Sequence, residues 1–357
     1  LKRVDFANMF PQATARLNGN RETTNYGGDN FDADSELSLT ASISWELDLW
    51  GNLRWARDRS TAEFLASGEN CRAVKMGLVA QVAQSYFELM ALDNELAIVR
   101  RTLEARREGV RLAEIRFKGG LTSEIVFQQA KVELAKTATM VPDLERRISL
   151  KESEIALLTG DFPYAVNRNI LPEEIQLPNA LPLGLPSTLL ERRPDIRKAE
   201  RELMAAHAEV GLAYTNMFPR LALTATLGTE SETLRDFLKS PYSYLVGNLL
   251  SPLFAMGKNR AALKAKRAAY EGAVAEYEQT VLTAFKETHD AIINFNKIKD
   301  IYESRRQLAE ASRTAVELAQ LQYINGVIGY LDLLDAQRNY FDAQVSLSNA
   351  VCDKQLM

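Results

Sequence analysis

The chain has 357 residues, 46% of them apolar and 25% charged, which is material for a substantial folded body and not the composition of a disordered one. Its 43 Lys plus Arg face 47 Asp plus Glu, with no basic stripe of the kind that holds nucleic acid. Cys71 and Cys352 lie far apart and only His207 and His289 could join them, so no metal, redox or cofactor site is expected.

No apolar run reaches the roughly 18 residues of a membrane-spanning helix, and no signal peptide opens the chain. Leu1 reads as an internal start. After Asn8-Met9-Phe10-Pro11, two loosely alternating stretches near 10–22 and 36–49 read as a β-hairpin. In the second stretch Leu37, Leu39, Ala41, Ile43, Trp45, Leu47 and Leu49 alternate with Ser, Thr and acids, so that one strand face is dry. The length suits the roughly 9 to 11 residues of a tilted transmembrane strand. Trp45, Trp50 and Tyr242 or Tyr244, near strand ends, read either as aromatics at the membrane interface or as packing within the subunit.

From about Asn52 to Lys118 the pattern turns helical without a proline, predicting a rod of about 100 Å at 1.5 Å per residue. Leu78, Val82, Tyr86, Leu89, Leu92, Leu96, Val99 and Leu103 recur at spacings of three and four, as coiled-coil packing requires. Lys118-Gly119-Gly120-Leu121-Thr122 then supplies a tight turn, and a return helix is expected over about 121–159. Pro163, Pro172, Pro178, Pro182 and Pro186 crowd an extended connector over 161–186, read as a belt outside the rods, before a helix from about Ser187 to Tyr214. Strands near 219–230 and 241–253, a second long helix from Lys258 to Ile324, a turn at Ile324-Asn325-Gly326-Val327-Ile328 and a last helix from about 327 complete the chain.

The second part repeats the first. With a shift of 206 residues Gly51 falls on Gly257, Arg54 on Arg260, Ala62 on Ala268, Gly120 on Gly326 and Ala130 on Ala336. Asn8-Met9-Phe10-Pro11 recurs as Asn216-Met217-Phe218-Pro219. The expected organisation is a first repeat over 1–160 and a second over 187–357, joined by the connector at 161–186. Four membrane-length strands cannot close a barrel and open edges are not tolerated in lipid, so the strands must pair with those of other copies. Three copies would make 12 strands and gather 12 rods into a tube, although residues alone do not fix the number three.

The run Leu189-Leu190-Glu191-Arg192-Arg193-Pro194-Asp195-Ile196, followed by Ala199-Glu200, Leu203, Ala205-Ala206 and Phe218-Pro219, closely resembles the signature of TolC-like outer-membrane factors, in the branch that works with RND-type pumps. Ser44-Trp45-Glu46-Leu47-Asp48-Leu49-Trp50-Gly51 and Ala83-Gln84-Ser85-Tyr86-Phe87 fit the same family. The resemblance covers essentially the whole chain. It implies a mostly α fold with membrane β, a homotrimer whose 12-stranded barrel in the outer-membrane lipid continues into a periplasmic α-helical barrel, and partners in a periplasmic adaptor and, through it, an inner-membrane RND transporter. It implies a passive duct with no cofactor and no catalysis. It also implies a helical segment before the first strand and a C-terminal extension, both of which the chain is expected to lack, and it leaves lipidation open.

Asp332 and Asp335 follow the second turn, where the first repeat has Val126 and Gln129. Read from the residues alone, the pair suits a solvated helix start, where acids are favoured. The resemblance instead places it at the periplasmic constriction as a ring of carboxylates that attracts cations. Gly119, Gly120, Leu121, Thr122, Gly326, Val327, Ile328 and Gly329 form the turns themselves, which the resemblance makes the docking points for adaptor hairpins. Arg192, Arg193 and Asp195 read as a plain helix start after which Pro194 fixes the first turn. Cargo is left between drugs or other small toxic compounds and monovalent copper or silver. The rival readings are a soluble coiled-coil scaffold and an enzyme using Asp332 and Asp335 as paired acids. Membrane-length strands with one dry face weigh against the scaffold, and the lack of a sheltered pocket beside the acids weighs against the enzyme.

Overall fold

A computed structural model describes residues 2–24, 32–168, 191–231, 239–252 and 256–357. In chain order its elements are α1 (Lys2–Ala7), β1 (Gln12–Thr24), β2 (Asp32–Leu47), α2 (Asn52–Lys118), α3 (Glu124–Thr159), α4 (Pro194–Thr215), β3 (Arg220–Ser231), β4 (Pro241–Leu250), α5 (Lys258–Ile324) and α6 (Tyr330–Gln355). No helix among the described residues is long and apolar enough to cross a membrane.

The chain divides into two compact units, each taking one piece from either half of the chain. One comprises Leu1–Ala73 with Gly184–Ala284, the other Val74–Leu183 with Phe285–Met357. In the first unit the strands form one antiparallel sheet in the order β1-β2-β3-β4, leaving β1 and β4 as open edges. Thr14 pairs with Ser42, Ser42 with Thr226 and Thr226 with Tyr244. The register thus gives every even-numbered strand residue one face and every odd-numbered residue the other.

In the second unit Leu89, Leu92, Leu96 and Val99 of α2 pack on Leu144, Ile148 and Ile155 of α3, with Val166 closing the cluster. Leu89 and Val99 are fully buried, and each such side chain is worth roughly 1.5 to 3 kcal/mol of burial. Leu78, from the same predicted stripe, is 40% exposed in a single copy. Val166 belongs to the start of the connector. Its N–H donates to Glu152 Oε1 at 3.2 Å, and Arg168 donates to Asp93 Oδ2 and Glu152 Oε1 at 2.8 and 2.6 Å, so residues 161–168 are pinned to α2 and α3. The remainder of the predicted belt, residues 169–186, lies outside the described residues, as do Leu189 and Leu190.

The hydrogen bonds copy the repeat. Asn8, Met9 and Phe10 N–H donate to Val4, Phe6 and Ala7 carbonyls; Asn216, Met217 and Phe218 N–H donate to Leu212, Tyr214 and Thr215 carbonyls. The six-residue α1 is therefore the equivalent of the last turns of α4, and a short helix does precede the first strand, contrary to expectation. Its residues Lys2-Arg3-Val4-Asp5-Phe6-Ala7 are too few to show a helical period. Gly51 (φ 82°) and Gly257 (φ 77°) open α2 and α5 at matching positions, each carbonyl accepting the N–H four residues on. Both long helices have the predicted ends. The return helices begin three residues later than expected, because Ser123 and Gly329 are extended N-caps. For α4, Arg193 is extended and Pro194 is the first helical residue, where its missing N–H costs nothing.

Candidate functional site

The odd face of the sheet carries Leu17, Leu39, Ile43, Trp45, Leu227, Leu245 and Leu249, all at least 39% exposed in the single copy, a continuous apolar surface fit for lipid. The even face carries hydroxyls that bond across strands: Thr14 to Ser42 at 2.8 Å and Thr224 to Ser44 at 3.4 Å. Trp45 lies on the apolar face, its indole N–H donating to the Met9 carbonyl at 3.1 Å. Trp50 stacks on Phe218 and donates to the Pro219 carbonyl. Tyr242 and Tyr244 stand on the polar face instead, stacked 6.0 Å apart. Tyr242 lies over Gly228, where a Cβ would sit 2.5 Å from its ring. Strand parity, not nearness to the strand end, decides their side, so the interfacial reading does not apply to them.

The two helix tips, both in the second unit, share one construction. Gly119, Gly120 and Leu121 N–H donate to the carbonyls of Ile115, Phe117 and Arg116; Asn325, Gly326 and Val327 N–H donate to those of Leu321, Tyr323 and Gln322. Gly120 (φ 70°) and Gly326 (φ 76°) take the left-handed conformation that ends each helix. Leu121 and Val327 are 72% and 71% exposed; Gly119 and Gly329 are also exposed, and Thr122 and Ile328 half-buried.

Asp332 and Asp335 are both exposed. Asp332 Oδ2 accepts the Gly329 N–H at 3.0 Å, so this side chain caps the start of α6. Asp335 Oδ2 accepts from the Asn339 amide at 3.4 Å and lies within the field of Arg338. The structure brings these acids to one tip, one turn apart, both exposed.

Behind the tips lies a device that the sequence did not reveal. Arg106 of α2, Glu133 of α3 and Arg338 of α6 form an ionic triad centred on a buried carboxylate: Arg106 Nη1 donates to Glu133 Oε2 at 2.8 Å and Arg338 Nη2 donates to Glu133 Oε1. Glu133 is 7% exposed and Arg106 8%. Burial pushes the Glu133 carboxyl up, but the Arg338 hydrogen bond and the Arg106 and Arg338 charges outweigh it and hold the group below the ordinary glutamate value. Nearby, Arg116 donates to the Tyr323 carbonyl at 3.1 Å and sits 4.7 Å over the Tyr323 ring. Tyr323, Tyr330, Leu333 and Leu334 pack against Ala113 and Ala130, so both helical hairpins share one tip core.

The remaining sequence candidates are structural. Arg193 grips Asp195 through two hydrogen bonds of 3.1 and 2.7 Å, and that contact lowers the Asp195 pKa. His207 is held between the Trp55 and Tyr270 rings, 5.6 and 5.7 Å away. Cys71 and Cys352 are free thiols, and burial raises Cys352 to about 11. Among the described residues no cluster of His, Cys, Asp or Glu could hold a metal ion.

The comparisons with known proteins agree with this architecture. The family model "Outer membrane efflux protein" matches residues 3–161 and 185–355. OprJ of Pseudomonas aeruginosa, an outer membrane protein, is 32% identical over 99% of this chain and 75% of its own length. The solvent efflux pump outer membrane protein SrpC of Pseudomonas putida is 31% identical over 99% and 76%. The cation efflux system protein CusC of Escherichia coli is 28% identical over 97% and 75%. A crystal structure of CusC matches with a TM-score of 0.88 at 26% identity, covering 99% of this chain and 83% of that one. The chain belongs to the outer membrane efflux protein family. It is a mostly helical channel subunit of the TolC-like fold, in which three copies close a β-barrel in the outer membrane that continues into periplasmic helices, and it is not an enzyme.

Proposed function

We propose that three copies of this chain form the exit duct of a tripartite RND-type efflux pump, passing small toxic organic compounds from the periplasm to the outside. The reading takes the chain as two repeats, 1–160 and 187–357, joined by the connector at 161–186, each adding one strand hairpin and one helix hairpin to the duct wall. A periplasmic adaptor, linked to an inner-membrane RND transporter, docks at Gly119–Thr122 and Gly326–Gly329, where exposed backbone and the Leu121 and Val327 side chains offer a surface. Asp332 and Asp335 form the periplasmic gate, a ring of six carboxylates that holds cations and narrows the passage. The observation that carries this reading is the divergence of two tips built on the same hydrogen bonds: the first return helix starts with Glu124 alone, whereas the second carries the pair Asp332 and Asp335 one turn apart.

Organic cargo is supported by the likeness to the solvent pump protein SrpC. The likeness to CusC supports a second reading, export of copper or silver ions. A deletion strain complemented with this gene distinguishes them: restored tolerance of drugs and solvents supports the first reading, restored tolerance of metal salts alone the second. For the duct itself, purified protein should run as a trimer in detergent and give small, discrete, cation-preferring conductances in a planar bilayer. Replacing Asp332 and Asp335 together by Ala should raise conductance and weaken block by divalent cations. A monomer without channel activity would sink the duct, and unchanged conductance in the double variant would sink the gate.

A further inference from the structure

Where the strands meet the long helices, a cavity of about 860 Å³ is lined by Arg220 and Leu250 at the strand ends, Arg59 of α2, Glu209 of α4, and Lys258 and Lys266 of α5. Arg220 and Leu250 are register partners on the even-numbered face, so the cavity lies on the polar side of the sheet, opposite the apolar surface fit for lipid. Four cations meet one carboxylate there. Lys266 Nζ donates to Glu209 Oε2 at 2.5 Å, and Arg59 lies 3.6 Å from Glu63. Arg220 donates to the neutral Asn216 amide oxygen at 2.7 Å. Among the described residues no ion pair reaches Arg220 or Lys258.

The fold does not demand these charges. The repeat places Gln12 at the position of Arg220, Asn52 at that of Lys258 and Ser60 at that of Lys266, so the first half has neutral side chains at these three positions. Lys258 is also the first residue of a 67-residue helix, where the macrodipole disfavours a cation and favours an anion. An anion in the cavity would answer both the dipole and the unpaired side chains.

We propose that this cavity is an anion-binding vestibule in the wall of the duct, taking carboxylate or phosphate groups of small molecules. It rests on the duct reading above. Three copies present six uncompensated cations, opposite in sign to the six carboxylates of the Asp332 and Asp335 gate, so the lining sorts charge differently in its two regions.

The test uses inositol hexakisphosphate as a polyanionic probe. Added on the barrel side of a planar bilayer, it should block the wild-type channel; half-block should need roughly tenfold more probe in R220Q/K258Q and stay within about twofold in R220K/K258R. Calorimetry of the same probe with detergent-solubilised protein reads binding without conduction. Binding there that weakens in R220Q/K258Q supports the site even if no channels form, in which case the duct reading alone falls. No binding to the wild type, or the same half-block in R220Q/K258Q, overturns the vestibule. Phosphatidylglycerol that copurifies with the wild type and not with R220Q/K258Q, in the absence of block, overturns it in favour of a lipid-headgroup site outside the duct.

Discussion

The two helix tips are a controlled comparison within one chain. Their backbones close with the same three hydrogen bonds and the same left-handed glycine, yet Val126 and Gln129 at one become Asp332 and Asp335 at the other. The triad behind them is likewise unmatched: the repeat sets Ser312 against Arg106, Asn339 against Glu133 and Val132 against Arg338. Turn geometry was thus retained while charge diverged, which separates what builds a tip from what a tip does. The acids are exposed, whereas Glu133 and Arg106 are buried between the hairpins that they tie together.

The largest effect expected from breaking this asymmetry is at Glu133. Its replacement by Gln leaves Arg106 buried without a carboxylate and should weaken the tip by about 3 kcal/mol, read as roughly hundredfold faster hydrogen exchange in α3 near residue 133. Arg338→Ala should cost less, because Arg338 is half exposed. If the two variants exchange alike, the triad is not the clamp. The same contact sets a pH limit. Because the folded Glu133 pKa is depressed, its contribution is complete above the ordinary glutamate value and is lost as pH falls through the depressed one, so tip exchange should quicken only below about pH 4.

Next in size, Gly120→Val and Gly326→Val should each cost about 1 to 2 kcal/mol from left-handed strain, since no neighbour lies within 4 Å of either added Cβ. Equal losses in thermal melts would confirm that the turns are equivalent; a large difference would show that the tip cores, not the turns, set their stability. Asp332→Ala removes a cap and should cost about 0.5 to 1 kcal/mol in α6. Asp335→Asn should leave the melt within about 0.5 kcal/mol while weakening block by divalent cations, which isolates the gate from the cap.

Much of this architecture could be read from residue order. Alternation marked the strands, absence of proline the long helices, and glycine their ends; each is a local signal. The triad was hidden because Arg338 and Arg106 reach Glu133 from 205 and 27 residues away, and each sits among many surface charges on its own helix. The basic cavity was hidden for the same reason, its charges being spread over three helices and a strand. Asp332 and Asp335 were visible because they break the repeat, and the same subtraction applied to Arg106, Glu133, Arg338, Arg220 and Lys258 would have flagged them too. The side taken by Tyr242 and Tyr244 depended on register, which only the paired strands reveal.

The open edges of β1 and β4 have a genetic consequence. A copy whose edge strand cannot pair spoils not only itself but the two sound copies that close the barrel with it. In a cell making normal and edge-damaged chains in equal amounts and assembling them at random, only about one trimer in eight would be wholly normal. Edge-strand lesions should therefore behave as dominant alleles, whereas lesions that prevent a chain from folding at all should be recessive.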